Sequence, residues 1–260
     1  MPKSELGFLH GLSKEDEFLA GSIADKVQAA SFKGRSSFTC FLSEGRAELA
    51  KKVAAAYSFD RYMLFGGYGG AERVMLGLFA DHDDPDENAF PIFAYTVSYR
   101  RQDGLSHRDI LGAMMGLGIT RDSIGDILVS DDHAVMFLNE TAAKMAEQQL
   151  AKIGRAGVKL EKGFDEDSLP QRSFKDISGT VPSLRVDCII ALAVRCSRTK
   201  AEQLITSGAV SVKGEELLSG AKKLSEGDTF TIRGSGKFIL DKIGGNTKKD
   251  RIYIDLKKFV

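Results

Sequence analysis

Two predicted helices near the C-terminus begin with basic side chains, which suits them to bind an anion. Arg185 precedes the first helix, and Arg198 and Lys200 fall in the first turn of the second. A helix N-terminus presents unpaired N–H groups and the positive end of the helix dipole, and Arg and Lys add charged donors. This arrangement predicts phosphate binding and favours RNA as the polyanion. We expect Asp187 to orient Arg185, because a carboxylate repels phosphate. The candidate contact residues in this part of the chain are Arg185, Ser197, Arg198, Thr199, Lys200, Gln203, Lys213 and Lys237.

A second polar group opens a predicted helix in the middle of the chain, with His107, Arg108 and Asp109 in succession. Consecutive residues of a helix point in different directions, so these three cannot converge on one substrate atom as acid–base catalysis requires. We expect Ser106 to cap this helix, and we expect Arg108 and Arg121 to contact RNA or a neighbouring domain. The sequence therefore predicts no catalytic residue at these positions.

The glycine-rich stretch, an acidic loop and the cysteines form no recognisable ligand site. The sequence GGYGG at 66–70 matches neither GxGxxG nor GxxxxGK[ST], so it predicts a tight turn with close backbone approach. The acidic loop at 81–87 contains a proline and lacks the glycine of an EF-hand. The three cysteines form no CxxC pair, and the histidines are not spaced beside them as zinc ligands are. We therefore expect neither a cofactor nor a metal.

Charge is distributed unevenly along a chain that is neutral as a whole, with 36 basic and 36 acidic side chains. The segment 183–260 holds 15 Lys and Arg against 9 Asp and Glu, a net charge of +6, and residues 1–182 carry −6. Such an asymmetry indicates that the C-terminal part meets a polyanion while the rest does not. The N-terminus lacks the apolar core of a signal peptide, no apolar run is long enough to span a membrane, and the unpatterned cysteines fit a reducing cytosol. These features predict a cytoplasmic protein without a membrane partner.

The order of predicted elements indicates an α+β protein of several domains. Residues 1–88 form an N-terminal α/β domain, and residues 89–163 follow the order β-α-β-β-α-β, with the second helix running to about Ile153. That order predicts a ferredoxin-like fold, which many RNA-recognition domains share. Residues 164–182 are expected to be a linker, with an extra strand as the alternative. From residue 183 the pattern is helix, turn, helix and short strands. Phe93, Tyr95 and Tyr99 alternate on the first strand of the middle domain, and either RNA contact or core packing explains them.

Two resemblances to known proteins rest on spaced motifs. The C-terminal elements RVD at 185–187, SRTKA at 197–201, GAVSVKG at 208–214, GD at 227–228 and RGSGKF at 233–238 resemble the S4 RNA-binding domain. The middle motifs LSHRDILG at 105–112, LGITR at 117–121 and IGDILV at 124–129 resemble the signature of the YlmH family. Together with the glycine-rich element, this similarity covers essentially the whole chain.

Membership of that family implies a bacterial RNA-binding protein without catalytic activity. It also implies binding to ribosomal RNA, and to tRNA, on a large ribosomal subunit that carries an obstructed peptidyl-tRNA, where the protein assists quality control of the nascent chain. Nothing in the sequence demands more than a monomer. The alternatives are an RNA-modifying enzyme with an S4 module, which usually carries that module at the N-terminus, and an adaptor protein in cell division, which the family's gene neighbourhood suggests.

Overall fold

A computed structural model describes residues 12–169, 174–247 and 249–259 of the chain. The protein is a mixed α+β, multidomain molecule with several sheets, and six α-helices lie in the described ranges. The chain divides into two compact units, Met1–Gln171 and Arg172–Val260. Each unit has its own hydrophobic core.

The first segment of unit 1 packs two helices on a small antiparallel sheet with the strand order β1-β3-β2. Ser13 caps the first helix as its sequence suggests, since its hydroxyl accepts a hydrogen bond from the Asp16 N–H at 3.2 Å. The GGYGG stretch joins two paired strands, and a Cβ on Gly66 would lie 2.4 Å from the Arg73 carbonyl oxygen. The predicted tight turn with close backbone approach is therefore confirmed. The elements are α1 (Lys14–Lys33), β1 (Ser37–Phe38), α2 (Glu44–Ala56), β2 (Tyr62–Phe65) and β3 (Met75–Leu78).

The second segment of unit 1 builds a four-stranded antiparallel sheet with the order β5-β6-β4-β9. Ser106 caps its first helix, and the Asp109 carboxylate accepts a hydrogen bond from the Ser106 N–H, which completes a capping box. The elements are β4 (Ile92–Ser98), α3 (His107–Gly116), β5 (Ile124–Val129), β6 (His133–Asn139), α4 (Glu140–Gln149), β7 (Lys152–Ile153), β8 (Ala156–Gly157) and β9 (Lys159–Lys162).

Helix α4 ends at Gln149, earlier than the predicted end near Ile153. The chain instead turns into the short β7–β8 hairpin around Gly154, whose φ of 58° is left-handed and suits glycine. Ile153 is buried in the core under α3 and α4, so its apolar character serves the hairpin rather than another helical turn. Apolar periodicity alone does not distinguish these two structures.

The two faces of this sheet are both covered. Helices α3 and α4 cover one face, where Tyr95 and Tyr99 are buried, so core packing explains these two rings. The other face presents Val135 and Phe137 to a core that also contains Phe90, and the first segment contributes Phe41, Met75 and Phe79 to this core. The two segments therefore share a core and form one compact unit.

Unit 2 lays two helices on one face of a six-stranded antiparallel sheet with the order β10-β15-β14-β13-β11-β12. Apolar residues alternate along the central strands, which is the pattern of a sheet with a single buried face. The elements are β10 (Phe174–Val181), α5 (Val186–Ala193), α6 (Arg198–Thr206), β11 (Val210–Val212), β12 (Glu215–Glu216), β13 (Thr229–Ile232), β14 (Gly236–Asn246) and β15 (Ile252–Phe259).

The segment 164–182, expected to be a linker, contains the edge strand β10. This strand pairs with β15 along its whole length, from Phe174 opposite Phe259 to Val181 opposite Ile252. The strand is rich in polar residues and one side of it is exposed, so its composition resembles that of a loop. Its pairing partner lies more than 70 residues further along the chain, a relationship that local composition does not reveal.

Candidate nucleic-acid interface

The N-termini of α5 and α6 meet at a buried carboxylate. Asp187, in the first turn of α5, has no exposed surface. Arg185 donates to it from Nε and Nη2 at 3.2 and 2.9 Å, and Arg198 at the start of α6 donates from the same two atoms at 3.1 and 2.8 Å. The Cys188 N–H adds a fifth donor at 2.8 Å. The prediction that Asp187 orients Arg185 is confirmed, and Asp187 orients Arg198 as well.

The charge state of this cluster follows from its hydrogen bonds. Burial acts to raise the pKa of Asp187, but the hydrogen bonds from Arg185, Arg198 and Cys188 outweigh it and hold the pKa at about 2. Asp187 is therefore ionised at neutral pH, and the same hydrogen bonds raise the pKa of both arginines. The arginine side chains remain 36% and 53% exposed, so each is held by Asp187 and still meets solvent, and Arg198 Nε also lies 3.8 Å from a Glu202 carboxylate oxygen.

The backbone of Lys222 and Lys223 lies beside the start of α5. The Val186 N–H donates a hydrogen bond to the Lys222 carbonyl at 2.9 Å, and the backbones of Arg185 and Lys223 pair in an isolated antiparallel β-bridge. Gly220 permits this approach, because a Cβ there would lie 2.9 Å from the Asp187 Cβ. Both lysine side chains are exposed. Sequence reasoning missed them, and the signal available was the pair of lysines after Gly220.

The remaining predicted residues of α6 lie along its exposed side. The Ser197 hydroxyl accepts a hydrogen bond from the Lys200 N–H at 3.2 Å, so this serine caps the helix. Thr199, Lys200 and Gln203 are exposed. The cluster of cations at this end of unit 2, called the α5–α6 basic surface below, comprises Arg185, Arg198, Lys200, Lys222 and Lys223.

Lys237 is placed apart from this cluster, whereas Lys213 pairs with Asp228, a carboxylate that also interacts with Lys222. Lys213 lies in the turn between β11 and β12, and its Nζ pairs with an Asp228 carboxylate oxygen at 2.7 Å. Lys237 precedes Phe238, which is buried in the core under the helices, so the alternation of β14 turns Lys237 to the opposite face of the sheet. There its Nζ lies 5.2 Å from the centroid of the Phe259 ring. The structure does not bring Lys237 together with Arg198.

Arg121 in unit 1 is partly buried and binds backbone carbonyls. Its Nη1 donates to the carbonyl oxygens of Ile124 and Gly125 at 2.7 and 3.2 Å, and burial lowers its pKa. The neighbouring Arg73 donates to the carbonyls of Phe41, Arg121 and Ile124 at 2.9 to 3.1 Å, and burial, with Arg121 nearby, lowers the pKa of Arg73 to about 10. Both guanidinium groups donate their hydrogen bonds to backbone carbonyls of unit 1 and so stabilise its loops.

The GGYGG stretch and the residues after it donate hydrogen bonds to a buried carboxylate. Asp126 on β5 accepts hydrogen bonds from the Tyr68 hydroxyl at 2.7 Å and from the N–H groups of Glu72 and Arg73 at 2.8 and 3.1 Å. Backbone N–H groups that could cradle a phosphate are thus turned to a side chain of the same unit. The packing of Tyr68 on Phe137, with ring centroids 4.9 Å apart, holds the loop against the sheet.

Arg108 is exposed and lies in a groove of about 650 Å³ between α3 and the β7–β8 hairpin. Across the described ranges, no three His, Cys, Asp or Glu side chains are grouped as a metal site would need. No helix of the described part of the chain is long and apolar enough to cross a membrane.

Comparisons with known proteins agree with the motifs. Residues 85–166 match the family model described as "Putative RNA-binding domain in YlmH". Over 188 residues the chain is 36% identical to "Ribosome-associated protein quality control protein P2" of Bacillus subtilis (strain 168), which covers 72% of this chain and 73% of the relative. The solved structure of "Cell division protein ylmH from Streptococcus pneumoniae" matches with a TM-score of 0.53 and 24% identity, over 62% of this chain and 98% of that one. That second likeness shows the fold. The extent and identity of the first, with the matched domain, show that this chain belongs to the YlmH family.

Proposed function

We propose that this protein is a non-enzymatic RNA-binding factor that docks on ribosomal RNA, and on tRNA, of the large ribosomal subunit and assists quality control of stalled nascent chains. The B. subtilis relative, whose name places it in ribosome-associated quality control, supports the ribosomal assignment. The observation that carries RNA binding is the α5–α6 basic surface, in which one buried carboxylate holds two arginines with their outer edges exposed. The protein acts in the cytoplasm as a monomer.

The proposal includes two fold assignments. The strand order β5-β6-β4-β9, with α3 and α4 on one face, supports a ferredoxin-like middle domain. The pair α5 and α6 on a sheet, with its basic helix starts, supports an S4-type RNA-binding domain at residues 183–260. In this division residues 1–88 form the N-terminal domain, and they cover the second face of the middle sheet.

Arg185 and Arg198 bind RNA phosphates through their outer edges in this proposal. Because Asp187 fixes both side chains before RNA arrives, less conformational entropy is lost on binding than for free arginines. Lys200, Lys222 and Lys223 extend the charge around them, and Thr199 and Gln203 supply neutral hydrogen-bonding groups on the exposed side of α6. Counterion release then makes the affinity fall steeply with salt.

The environments of the groups with strongly shifted pKa values support a role other than catalysis. Burial and a hydrogen bond to Glu147 raise the pKa of Tyr95 to about 12, and burial raises that of Tyr99 to about 12. Tyr99 donates its hydroxyl to backbone carbonyls, and Asp187 is enclosed by its donors. Each shift accompanies a structural hydrogen bond, whereas a catalytic group needs a reactive atom open to substrate.

The test is sedimentation of the full chain with purified large ribosomal subunits. The variant Lys200→Glu with Lys223→Glu reverses two exposed charges of the α5–α6 basic surface, and both lysines lie outside the Asp187 cluster. The control, Lys175→Glu with Lys242→Glu, makes the same change of net charge on exposed strand positions of unit 2. We expect the control to pellet with subunits like the unmodified protein, and we expect the first variant to remain in the supernatant while circular dichroism shows it folded.

Equal pelleting of both variants would disprove this placement of the interface. If the unmodified protein binds neither subunits nor extracted ribosomal RNA, the ribosomal function fails. An adaptor role in cell division, which the name of the S. pneumoniae structure suggests, then takes precedence. Methyl transfer from S-adenosylmethionine to ribosomal RNA by the purified chain would instead support the RNA-modifying alternative.

A further inference from the structure

The RNA-binding domain matched at residues 85–166 cannot use its sheet as RNA-recognition sheets do, by stacking bases on an open face. One face is buried under α3 and α4, and the other is buried against the first segment through Phe137 and its aromatic neighbours. Phe93, at 40% exposure, is the large apolar side chain of β4 that remains at the surface. An RNA contact by this domain must therefore involve its helical side or its edges.

The helical side carries a groove between α3 and the β7–β8 hairpin. Its volume is about 650 Å³, and its polar and apolar lining comes from residues 103–113 and 153–156. Arg108 on α3 and Arg155 in the hairpin turn line it, and both side chains are exposed. Two arginines thus line one groove from two different elements of the fold.

Four of the residues that line the groove are small. Gly112 and Ala113 of α3 and Gly154 and Ala156 of the hairpin line it together with Leu105 and Ile153. A Cβ added to Gly112 would meet no atom within 4 Å. Small lining residues let a polymer backbone approach the protein main chain, and arginines match the forked geometry of phosphate oxygens.

The two carboxylates of the groove are already bound. Asp103 accepts hydrogen bonds from Arg100 at 3.1 Å, and Asp109 closes the capping box with the N–H of Ser106 at 2.9 Å. The charge of Asp103 is thereby paired with that of Arg100, whereas Asp109 has neutral donors from Ser106 and keeps its negative charge near Arg108. By contrast, the exposed face of α4 on the same domain presents a neutral pair, Glu140 with Lys144 at 2.6 Å. Within the groove, Arg108 and Arg155 are the groups that can bind an anion.

We propose that this groove binds the sugar–phosphate backbone of RNA, with Arg108 and Arg155 binding the phosphates, as a second RNA-binding site in addition to the α5–α6 basic surface. The inference rests on the proposed function and deepens it, since it assigns an RNA-binding site to unit 1. Two sites on separate units let one RNA, or two RNA elements of one particle, be held at two points. Simultaneous engagement strengthens binding without requiring either site to be tight.

The test compares two pairs of full-chain variants in filter binding to protein-free ribosomal RNA from large subunits and in sedimentation with intact large subunits. Arg108→Glu with Arg155→Glu reverses the charge of the groove, and Lys144→Glu with Lys51→Glu makes the same change on α4 and α2. Gly112→Gln fills the groove by steric bulk, and Gly116→Gln makes the same substitution one turn further along α3, where a Cβ also meets no atom within 4 Å. Neither glycine substitution has to strain the fold.

We expect each groove variant to bind both RNA and subunits roughly tenfold more weakly. The slope of log affinity against log salt should also become shallower in the charge variant, by about 0.7 to 0.9 for each phosphate that the groove no longer neutralises. The matched controls should bind like the unmodified chain.

Three outcomes would overturn this inference. Unchanged binding by the groove variants, in an assay where Lys200→Glu with Lys223→Glu does weaken it, overturns the inference and leaves the proposed function intact. Weaker binding to subunits alone, with full binding to protein-free RNA, overturns it in favour of a ribosomal protein as the occupant. Failure of the unmodified chain to bind either probe overturns both proposals.

Discussion

Sequence motifs suggest RNA contact for Arg121 in unit 1 and for Arg185 and Arg198 in unit 2, but the surroundings of these arginines differ. In unit 1, Arg73 and Arg121 direct their donors to backbone carbonyls inside the protein, and burial lowers the pKa of both. In unit 2, Arg185 and Arg198 direct their donors to the carboxylate of Asp187 and keep exposed outer edges, and the pKa of both is raised. The first pair stabilises loops, whereas the second pair, in the function that we propose, presents charge to RNA.

This contrast shows how the partner of an arginine determines its function. A carbonyl carries no net charge, so an arginine bound to carbonyls keeps its positive charge inside the fold, and its hydrogen bonds offset the cost of desolvation. A buried carboxylate neutralises part of the charge of two arginines and fixes their orientation, and their solvent edges remain able to bind a second anion. The distinction can be tested by measuring stability and RNA affinity separately for each pair.

The largest effect is expected from Arg73→Leu. The substitution removes the donors that satisfy the carbonyls of Phe41, Arg121 and Ile124, so buried acceptors lose their partners. We expect the free energy of unfolding of unit 1 to fall by about 3 kcal/mol, as is typical when several buried polar groups lose hydrogen bonds. Urea unfolding followed by circular dichroism measures this change.

Arg46→Leu is the matched control for that substitution. Arg46 pairs with Glu15 and Asp16 at 2.6 and 3.0 Å, but the pair lies at the surface. Exposed ion pairs contribute little, so the decrease in the free energy of unfolding should stay below about 1 kcal/mol. If both variants are destabilised equally, the structural role assigned to the buried Arg73 is wrong.

A smaller effect concerns the pH dependence of unit 2. The pKa of Asp187 is held at about 2 in the folded state, below its ordinary value of 3.8. Because the folded pKa is the lower one, the stabilisation is complete above about pH 5 and is lost as the pH falls from there towards 2. It amounts to about 2 kcal/mol at neutral pH. Urea unfolding of the unmodified chain and Asp187→Asn at several pH values measures it.

The two proteins should differ most at pH 7 and converge towards pH 2, because an amide cannot ionise and the protonated carboxyl resembles it. Other carboxylates titrate in both proteins, so the difference between them isolates Asp187. A gap that stays constant down to pH 2 would show that the arginines do not depress the pKa of this carboxylate.

Local signals in the sequence predicted much of the fold. Ser106 precedes a helix that its side chain does cap, since capping depends on a residue only three positions away. The basic start of α6 and the orienting role of Asp187 toward Arg185 were likewise visible in a short motif. These features involve neighbours along the chain, and local spacing is sufficient to detect them.

The same reasoning could not predict pairings between residues that lie far apart in the sequence. Strand β10 resembles a linker until it pairs with β15, and Lys223 joins Arg185 only because residues 220–224 fold back beside α5. Which side of a strand or loop faces solvent depends on tertiary packing, and a single sequence leaves that open.

RNA affinity should separate the two arginine pairs directly. Arg198→Gln keeps a donor near Asp187 and removes a charge from the α5–α6 basic surface, so affinity for ribosomal RNA should fall roughly tenfold, the effect of removing one charge-assisted hydrogen bond. Arg121→Gln removes the same charge from a guanidinium bound to carbonyls, so affinity should be unchanged for the folded protein. Filter binding at fixed salt measures both. A larger decrease for Arg121→Gln would reverse the assignment of the two pairs.

The smallest effect is expected at Lys237, which tests whether motif membership or position in the fold determines RNA contact. Lys237 belongs to the C-terminal motif, but it lies on the sheet face opposite α5 and α6, with its ammonium over the ring of Phe259. Long-range charge effects are screened beyond about 10 Å at moderate salt, so Lys237→Gln should change RNA affinity by less than about twofold. Lys200→Gln, the same substitution on the proposed surface, serves as its reference in one filter-binding series. A decrease at Lys237 as large as that at Lys200 would mean that RNA also contacts the outer sheet face, and the boundary drawn around the α5–α6 basic surface would then be too narrow.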